Sequence, residues 1–140
     1  MSYRTGSMCP MSQALEMIAR DPEKVSALLG MVFRLMQAWR LDTRQQTVLM
    51  GVRSPSTIYR WKNHGANRLR LDTLGRIHHL LGIHKQLRLL FYHNPDLAKA
   101  WVSTRNKAPC FGGERPIDIM LRGRITDLEL VLGYLEQAAG

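Results

Sequence analysis

The sequence predicts an all-α chain: a helix-turn-helix domain followed by a small helical C-terminal domain. Three observations carry that prediction. Alternating runs of Val, Ile, Thr and aromatic residues, the mark of strands, are missing. Apolar residues recur at helical spacing instead. Pairs such as Asp21-Pro22, Ser54-Pro55 and Asn94-Pro95 mark helix starts, and glycines mark stops.

Residues 1–20 read as a flexible or partly helical lead-in, with "SQALEMIA" allowing a short first helix. Asp21 then caps a long helix that carries Val25, Leu28, Leu29, Val32, Met36 and Trp39 on one stripe and ends near Arg40. Asp42 caps a second, short helix through Met50, with Val48 and Leu49 turned inward. Gly51 ends it, because glycine accepts the left-handed conformation at a helix C-terminus. Pro55 opens a helix that Gly65 closes. Asp72 is expected to cap the next, which carries Leu74, Ile77, Leu80 and Leu81; Gly82 either bends that helix or splits it from "IHKQLRLLFYH". Asn94-Pro95 starts a helix ending near Val102, and the loop "STRNKAPCFGGERP" follows. Pro116 opens "PIDIML", which stops at Gly123. In the last helix Thr126 and Glu129 match a capping box, with Leu128, Val131, Leu132 and Leu135 on one face. The resulting division is 1–20 lead-in, 21–83 helix-turn-helix domain and 84–140 C-terminal domain.

The 140 residues carry a formal net charge of +9. The excess is local. Residues 34–76 hold nine Arg or Lys against two Asp, whereas residues 1–33 balance three against three. A concentration of that kind suits a polyanionic partner, nucleic acid first. Two cysteines, Cys9 and Cys110, are too few for a disulfide framework or a cysteine zinc site, so a reducing cytoplasm is the expected setting. No apolar run reaches membrane-span length, and the N-terminus has no apolar signal core. His78, His79, His84 and His93 lack the spacing and the companion ligands of a metal site. No nucleophile–base pair or carboxylate pair stands out, so neither an enzyme nor a cofactor is expected. Trp39, Trp61 and Trp101 read as core anchors, and the methionines mostly as core filler.

The segment "GVRSPSTIYRWKNHG", residues 51–65, sits inside the basic region. Helix–glycine turn–helix is the helix-turn-helix pattern. With Ile58 at zero, Trp61 falls at about 300°, and both point to the core. Ser56, Tyr59, Arg60 and Asn63 lie within roughly 50° of the opposite direction. Arginine suits guanine, asparagine suits adenine and serine suits either. Arg53 at the turn and Lys62 on the flank are better placed for phosphates. Ser54 at the cap leaves helix-terminal amides for another phosphate.

With both halves laid out, the chain resembles the Xre/MbcA/ParS antitoxins. "GVRSPSTIYRWKNHG" is similar to their Xre-like helix-turn-helix. "WVSTRNKAPCFGGERPIDIMLRG", followed by "LVLGYLEQ", is similar to their C-terminal toxin-binding domain. The residues carrying that second likeness are Trp101, Asn106, Gly112, Gly113, Pro116, Asp118, Leu121 and Gly123. Arg105 departs from the proline usual before the asparagine, and Ile117 and Ile119 replace leucines. The resemblance implies an antitoxin that binds a RES-type, NAD-consuming toxin and represses its own operon. Independently, one recognition helix covers few base pairs, so a homodimer on a palindromic operator is expected, with the Val25–Trp39 stripe or the C-terminal bundle as its interface. The resemblance places toxin contacts on the Trp101–Gly123 region, where the glycine pair lets Phe111 pack back on the bundle, and on the C-terminal end. There Glu136 and the carboxylate of Gly140 offer negative charge to arginines that would hold NAD phosphates; the other reading of this end is a frayed terminus with no function. From the residues alone a second reading stays open: a stand-alone regulator whose C-terminal helices only dimerise. A neighbouring reading frame for a RES-type protein separates the two.

Overall fold

Asp21 shows how local chemistry sets the element boundaries. Its carboxylate accepts from the backbone amides of Glu23 and Lys24 at 3.1 and 3.3 Å, and Pro22 supplies the first helical residue. In this computed structural model residues 10–140 are described; the polar lead-in of residues 1–9 lies outside them. The described residues form eight helices and no strand: α1 (Pro10–Ala19), α2 (Pro22–Ala38), α3 (Thr43–Met50), α4 (Pro55–His64), α5 (Leu71–Leu90), α6 (Pro95–Trp101), α7 (Pro116–Met120) and α8 (Ile125–Ala139). The all-α expectation holds, with a helix-turn-helix domain first and a C-terminal domain after it.

The α2 stripe packs as its spacing requires. Val25, Leu29, Val32, Met36 and Trp39 are buried, while Leu28 is only half-buried. Arg40 then takes a left-handed φ of 60°, and the amide of Leu41 reaches back to the Met36 carbonyl at 3.0 Å. Asp42 caps α3 through a reciprocal pair with Gln45: each side chain accepts from the other residue's amide, at 2.8 and 2.9 Å. Leu49 is fully buried and Val48 half-buried. Gln46 is buried too and donates to the Leu41 carbonyl at 2.9 Å.

Two helix starts differ from expectation. α5 begins at Leu71, with Arg70 as its cap residue. Asp72 lies inside the first turn and pairs with Arg76 one turn on, at 3.0 Å. At α8 the cap residue is Arg124, not Thr126. Asp127 reaches back to the Arg124 amide at 3.3 Å and also accepts two bonds from its guanidinium, at 3.0 and 2.9 Å. Glu129 is exposed. A guanidinium chelating a carboxylate outcompetes a threonine hydroxyl because charge-assisted bidentate bonds are the stronger ones.

Gly82 does not split α5, which runs unbroken past it. A Cβ there would stand 3.3 Å from both methyl carbons of Leu132 on α8, and one at Gly75 would stand 3.4 Å from the Ile125 methyl. The two glycines, seven residues apart, face α8 and let it approach closely. α5 thereby becomes the axis of the molecule, packed against α1, α2, α3, α6 and α8. The core follows it: Leu74, Ile77, Leu80, Ile83 and Leu87 are all at most 1% exposed.

Gly51 has φ of 69°, and a Cβ there would lie 2.5 Å from Nε of Arg76. That arginine donates to the α3 carbonyls of Val48 and Leu49, each at 3.4 Å. Gly51→Ala therefore combines backbone strain with displacement of the arginine clamp, and should lower stability by about 1–3 kcal/mol. Urea denaturation measures it, and a loss under about 0.5 kcal/mol, the usual surface range, would refute the clamp.

Asp127 makes a second test. Hydrogen bonds from Arg124 hold its carboxyl below the usual aspartate range, against the opposing effect of burial. A depressed carboxylate contributes stability above its ordinary pKa of about 3.9, and that contribution is lost as pH falls through the lowered value. Asp127→Asn should thus cost about 1.5–3 kcal/mol at neutral pH. The gap to the parent should close in acid. A gap that stayed constant down to about pH 2 would mean that the ion pair is not its source.

Candidate functional site: a basic helix face and an aromatic-backed loop

The turn between α3 and α4 sets the first site. Gly51 ends α3, and Pro55 starts α4 with Ser54 in extended conformation before it. Ile58 is buried without exposure and Trp61 is half-buried, which fixes the rotation of α4 about its axis. Ser56, Tyr59, Arg60 and Asn63 consequently all face solvent, and Tyr59 is 56% exposed. Arg53 is exposed at the turn. No side chain caps the first amides of α4, because the Ser54 hydroxyl bonds that of Ser56 at 2.7 Å. Unpartnered amides at a helix N-terminus favour a phosphate. Lys62 is exposed, but its ammonium lies 5.3 Å from the Phe33 ring centre, a cation–π contact that tethers α4 to α2.

Ion pairing distinguishes the two halves. Three of the four ion pairs among the described residues lie between Glu114 and Asp127: Arg115–Asp118 at 2.7 Å, Arg122–Glu114 at 2.7 Å and Arg124–Asp127 at 2.9 Å. In the basic central region only Arg76 has a carboxylate partner among the described residues. Arg44, Arg53, Arg60, Arg68 and Arg70 are exposed with no carboxylate within ion-pair distance among those residues. The uncompensated field therefore sits on and around α4.

The second site is the loop from α6 to α7. Asn106 closes it. Its amide donates to the Glu114 carbonyl at 3.0 Å, and its own carbonyl accepts from Gly113 at 2.9 Å. Its side-chain oxygen accepts from the Ala108 amide at 2.9 Å. Gly112 and Gly113 take φ of 59° and 86°. This turn drives Phe111 inward to 1% exposure, as its sequence position suggests. There Phe111 meets Trp101 edge-on at 5.8 Å and Tyr134 at 4.9 Å, and Trp101 stacks on Tyr134 at 6.2 Å. Trp101 is half-buried, with part of its ring open to solvent. Arg105, the residue before Asn106, reaches the Gly113 carbonyl at 3.5 Å.

Pro116 is buried at the first position of α7. Asp118 is chelated by Arg115 at 2.8 and 2.7 Å, and its carboxyl is held below the usual range by those bonds. Glu114 and Arg115 are thus engaged in ion pairs although both are exposed. Glu136, in the last turns of α8, and Gly140, just past its end, are exposed. The helix continues to Ala139, and the Gly140 amide still bonds the Glu136 carbonyl at 2.9 Å. Helical spacing does not single out Tyr134, which lies off the buried line of Leu128, Val131 and Leu135. Its packing against Trp101 and Phe111 makes it the third ring behind the loop.

No helix among the described residues is long and apolar enough to cross a membrane, and no group of three metal-ligating side chains converges among them.

Comparison with known proteins agrees with this geometry. The chain is 37% identical over 120 residues to the uncharacterized protein y4oB of Sinorhizobium fredii (strain NGR234), covering 86% of this chain and 90% of that one. Residues 16–82, which contain the basic face of α4, match the model of the antitoxin Xre-like helix-turn-helix domain. Residues 86–140, which contain the aromatic-backed loop, match that of the antitoxin Xre/MbcA/ParS C-terminal toxin-binding domain. Matched in both halves and in that order, this chain belongs to the Xre/MbcA/ParS antitoxin family.

Proposed function

We propose that this chain neutralises a RES-type, NAD-consuming toxin by binding it, and represses its own operon as a homodimer on operator DNA. It works by binding and not by catalysis. The observation that carries the DNA half is the outward face of α4, where Ser56, Tyr59, Arg60 and Asn63 are exposed beside the uncapped helix start. In this reading Arg60, Asn63 and Ser56 read base edges, Tyr59 packs beside them, and Arg53, Ser54 and Lys62 hold phosphates. One recognition helix spans few base pairs, so two copies on a palindrome supply the specificity.

The toxin half is supported by the match of residues 86–140. We assign toxin contact to the loop braced by Asn106, Phe111, Gly112 and Gly113, to the open part of Trp101, and to the Pro116–Asp118 turn. The working division is 21–83 for DNA and 84–140 for the toxin, with α5 spanning both. The last turn of α8 runs on to Gly140 and carries Glu136, a negative group suited to arginines of an NAD site.

Arg60→Ala should lose about 1–3 kcal/mol on the operator and little on a random duplex. Lys62→Ala should weaken both alike and flatten the salt dependence. Affinities on the two duplexes at two salt concentrations decide it; equal losses for Arg60→Ala would remove its base-reading role.

Deleting residues 136–140 should leave toxin binding measurable and release NAD consumption. Co-purified partner, assayed with full-length and truncated chain at equal stoichiometry, is the readout. Full inhibition by the truncated chain would place the inhibitory contact elsewhere.

A further inference from the structure

The Val25–Trp39 stripe of α2 is taken up inside the core, so it does not supply the expected dimer interface: Val25, Val32 and Met36 have no exposure. The outer face of α5 is different. Leu81, Lys85, Arg88, Leu89 and Tyr92 recur there at intervals of three and four residues, on one side of the helix. Leu89 is 58% and Tyr92 81% exposed, and Met31 of α2, 46% exposed, borders the same groove of about 710 Å³. Two smaller grooves share His84 with it and continue along α2 toward α6. Large apolar side chains left open together along a groove mark an interaction surface.

Charge along these grooves is of one sign. Arg34, Lys85, Arg88 and Lys99 border them and are exposed, and no carboxylate lines any of the three. None of the four cations has a carboxylate within ion-pair distance among the described residues. Arg115, Arg122 and Arg124, on the same half of the chain, each have one. We propose that this groove receives an acidic amphipathic helix of a partner protein. Its apolar side chains would seat against Met31, Leu81, Leu89 and Tyr92, and its carboxylates would meet Lys85, Arg88 and the cations of α2 and α6.

Charge complementarity selects this occupant over the others. A second copy meeting the groove face to face would set cation against cation, with no carboxylate from either groove between them. Nucleic acid would satisfy the cations but leave Met31, Leu89 and Tyr92 without apolar partners. A bilayer takes apolar side chains that project outermost, whereas Ile18 and Leu81 are half-buried on the walls of a concavity. A helix in a groove satisfies both kinds of contact, with anchors three, four and seven residues apart. From His78 to Tyr92 the face extends about 21 Å, which matches a helix of about 15 residues. In such a contact the apolar anchors supply most of the affinity, and the rim charges set orientation and encounter rate. None of the residues assigned to DNA or to toxin contact lines the grooves, so this surface is additional to both.

Fluorescence anisotropy of a labelled model helix, with leucines along one face and glutamates on both flanks, tests this on the full chain. The wild type should bind it, and probes with lysine for glutamate or glutamine for leucine should bind at least about tenfold more weakly. Leu89→Glu with Tyr92→Glu should weaken binding of the acidic probe by about tenfold or more with unchanged circular dichroism. Arg88→Glu alone, expected to weaken it several-fold, serves if the double variant fails to fold. Random duplex DNA should leave the acidic probe bound. No binding up to about 100 μM, equal binding of the lysine probe, or undiminished binding by a folded variant overturns the proposal. Displacement by DNA overturns it too, since the probe would then sit on the basic face of α4. Two other outcomes reassign the groove and overturn the acidic helix as its occupant. One is co-sedimentation with phosphatidylglycerol vesicles that the double variant loses. The other is a wild-type dimer that the double variant converts to monomer.

Discussion

The close approach of α8 to α5 at Gly75 and Gly82 holds the two halves of the chain in register. Each glycine leaves room for a branched side chain of α8, Ile125 and Leu132 respectively, at distances where a Cβ would already touch. The match of two seven-residue spacings lets the helices lie along one another for two turns. α8 then brings Leu128, Val131 and Leu135 into the core. Without this approach α5 would hold little of the C-terminal half. With it, one unbroken helix carries the basic unit on one side and the C-terminal helices on the other, and the core is continuous along it. Interiors packed this tightly transmit displacement instead of absorbing it.

Electrostatics divide the chain differently from packing. The C-terminal carboxylates Glu114, Asp118 and Asp127 are each engaged by a nearby arginine. The exposed pairs at Glu114 and Asp118 contribute little energy singly but orient the loop, whereas Asp127 is buried within its pair and holds the start of α8. Around α4 the arginines lack such partners among the described residues, and the helix start is left without a side-chain cap. A protein that needed only solubility would gain nothing from placing its unpaired charge beside unpaired helix amides. A polyanion satisfies both at once.

The aromatic trio provides the matching rigidity at the other end. Phe111 is held by two rings, and the loop that carries it is closed by backbone bonds on either side of Asn106. Surface loops are mobile unless packed by their own side chains. Here the buried ring and the paired backbone brace the loop from within.

The helical class, most helix boundaries and the outward face of α4 are legible in the amino-acid order alone. They depend on residues within a few positions of each other: Asp21 and Pro22, Asp42 and Gln45, Ile58 and Trp61. Caps, prolines and periodicity act over one or two turns, so they can be read without knowing what packs outside. The starts of α5 and α8 are not legible in this way. An arginine–carboxylate pair three or four residues apart competes there with an aspartate or hydroxyl cap, and the order of residues does not show which wins. Three further features needed the folded chain. Gly82 is a contact and not a break, Tyr134 completes a trio with Trp101 and Phe111, and the buried α2 stripe leaves a neighbouring face open. Each turns on which residues, far apart in the chain, come within van der Waals reach, and spacing along one helix carries no information about that.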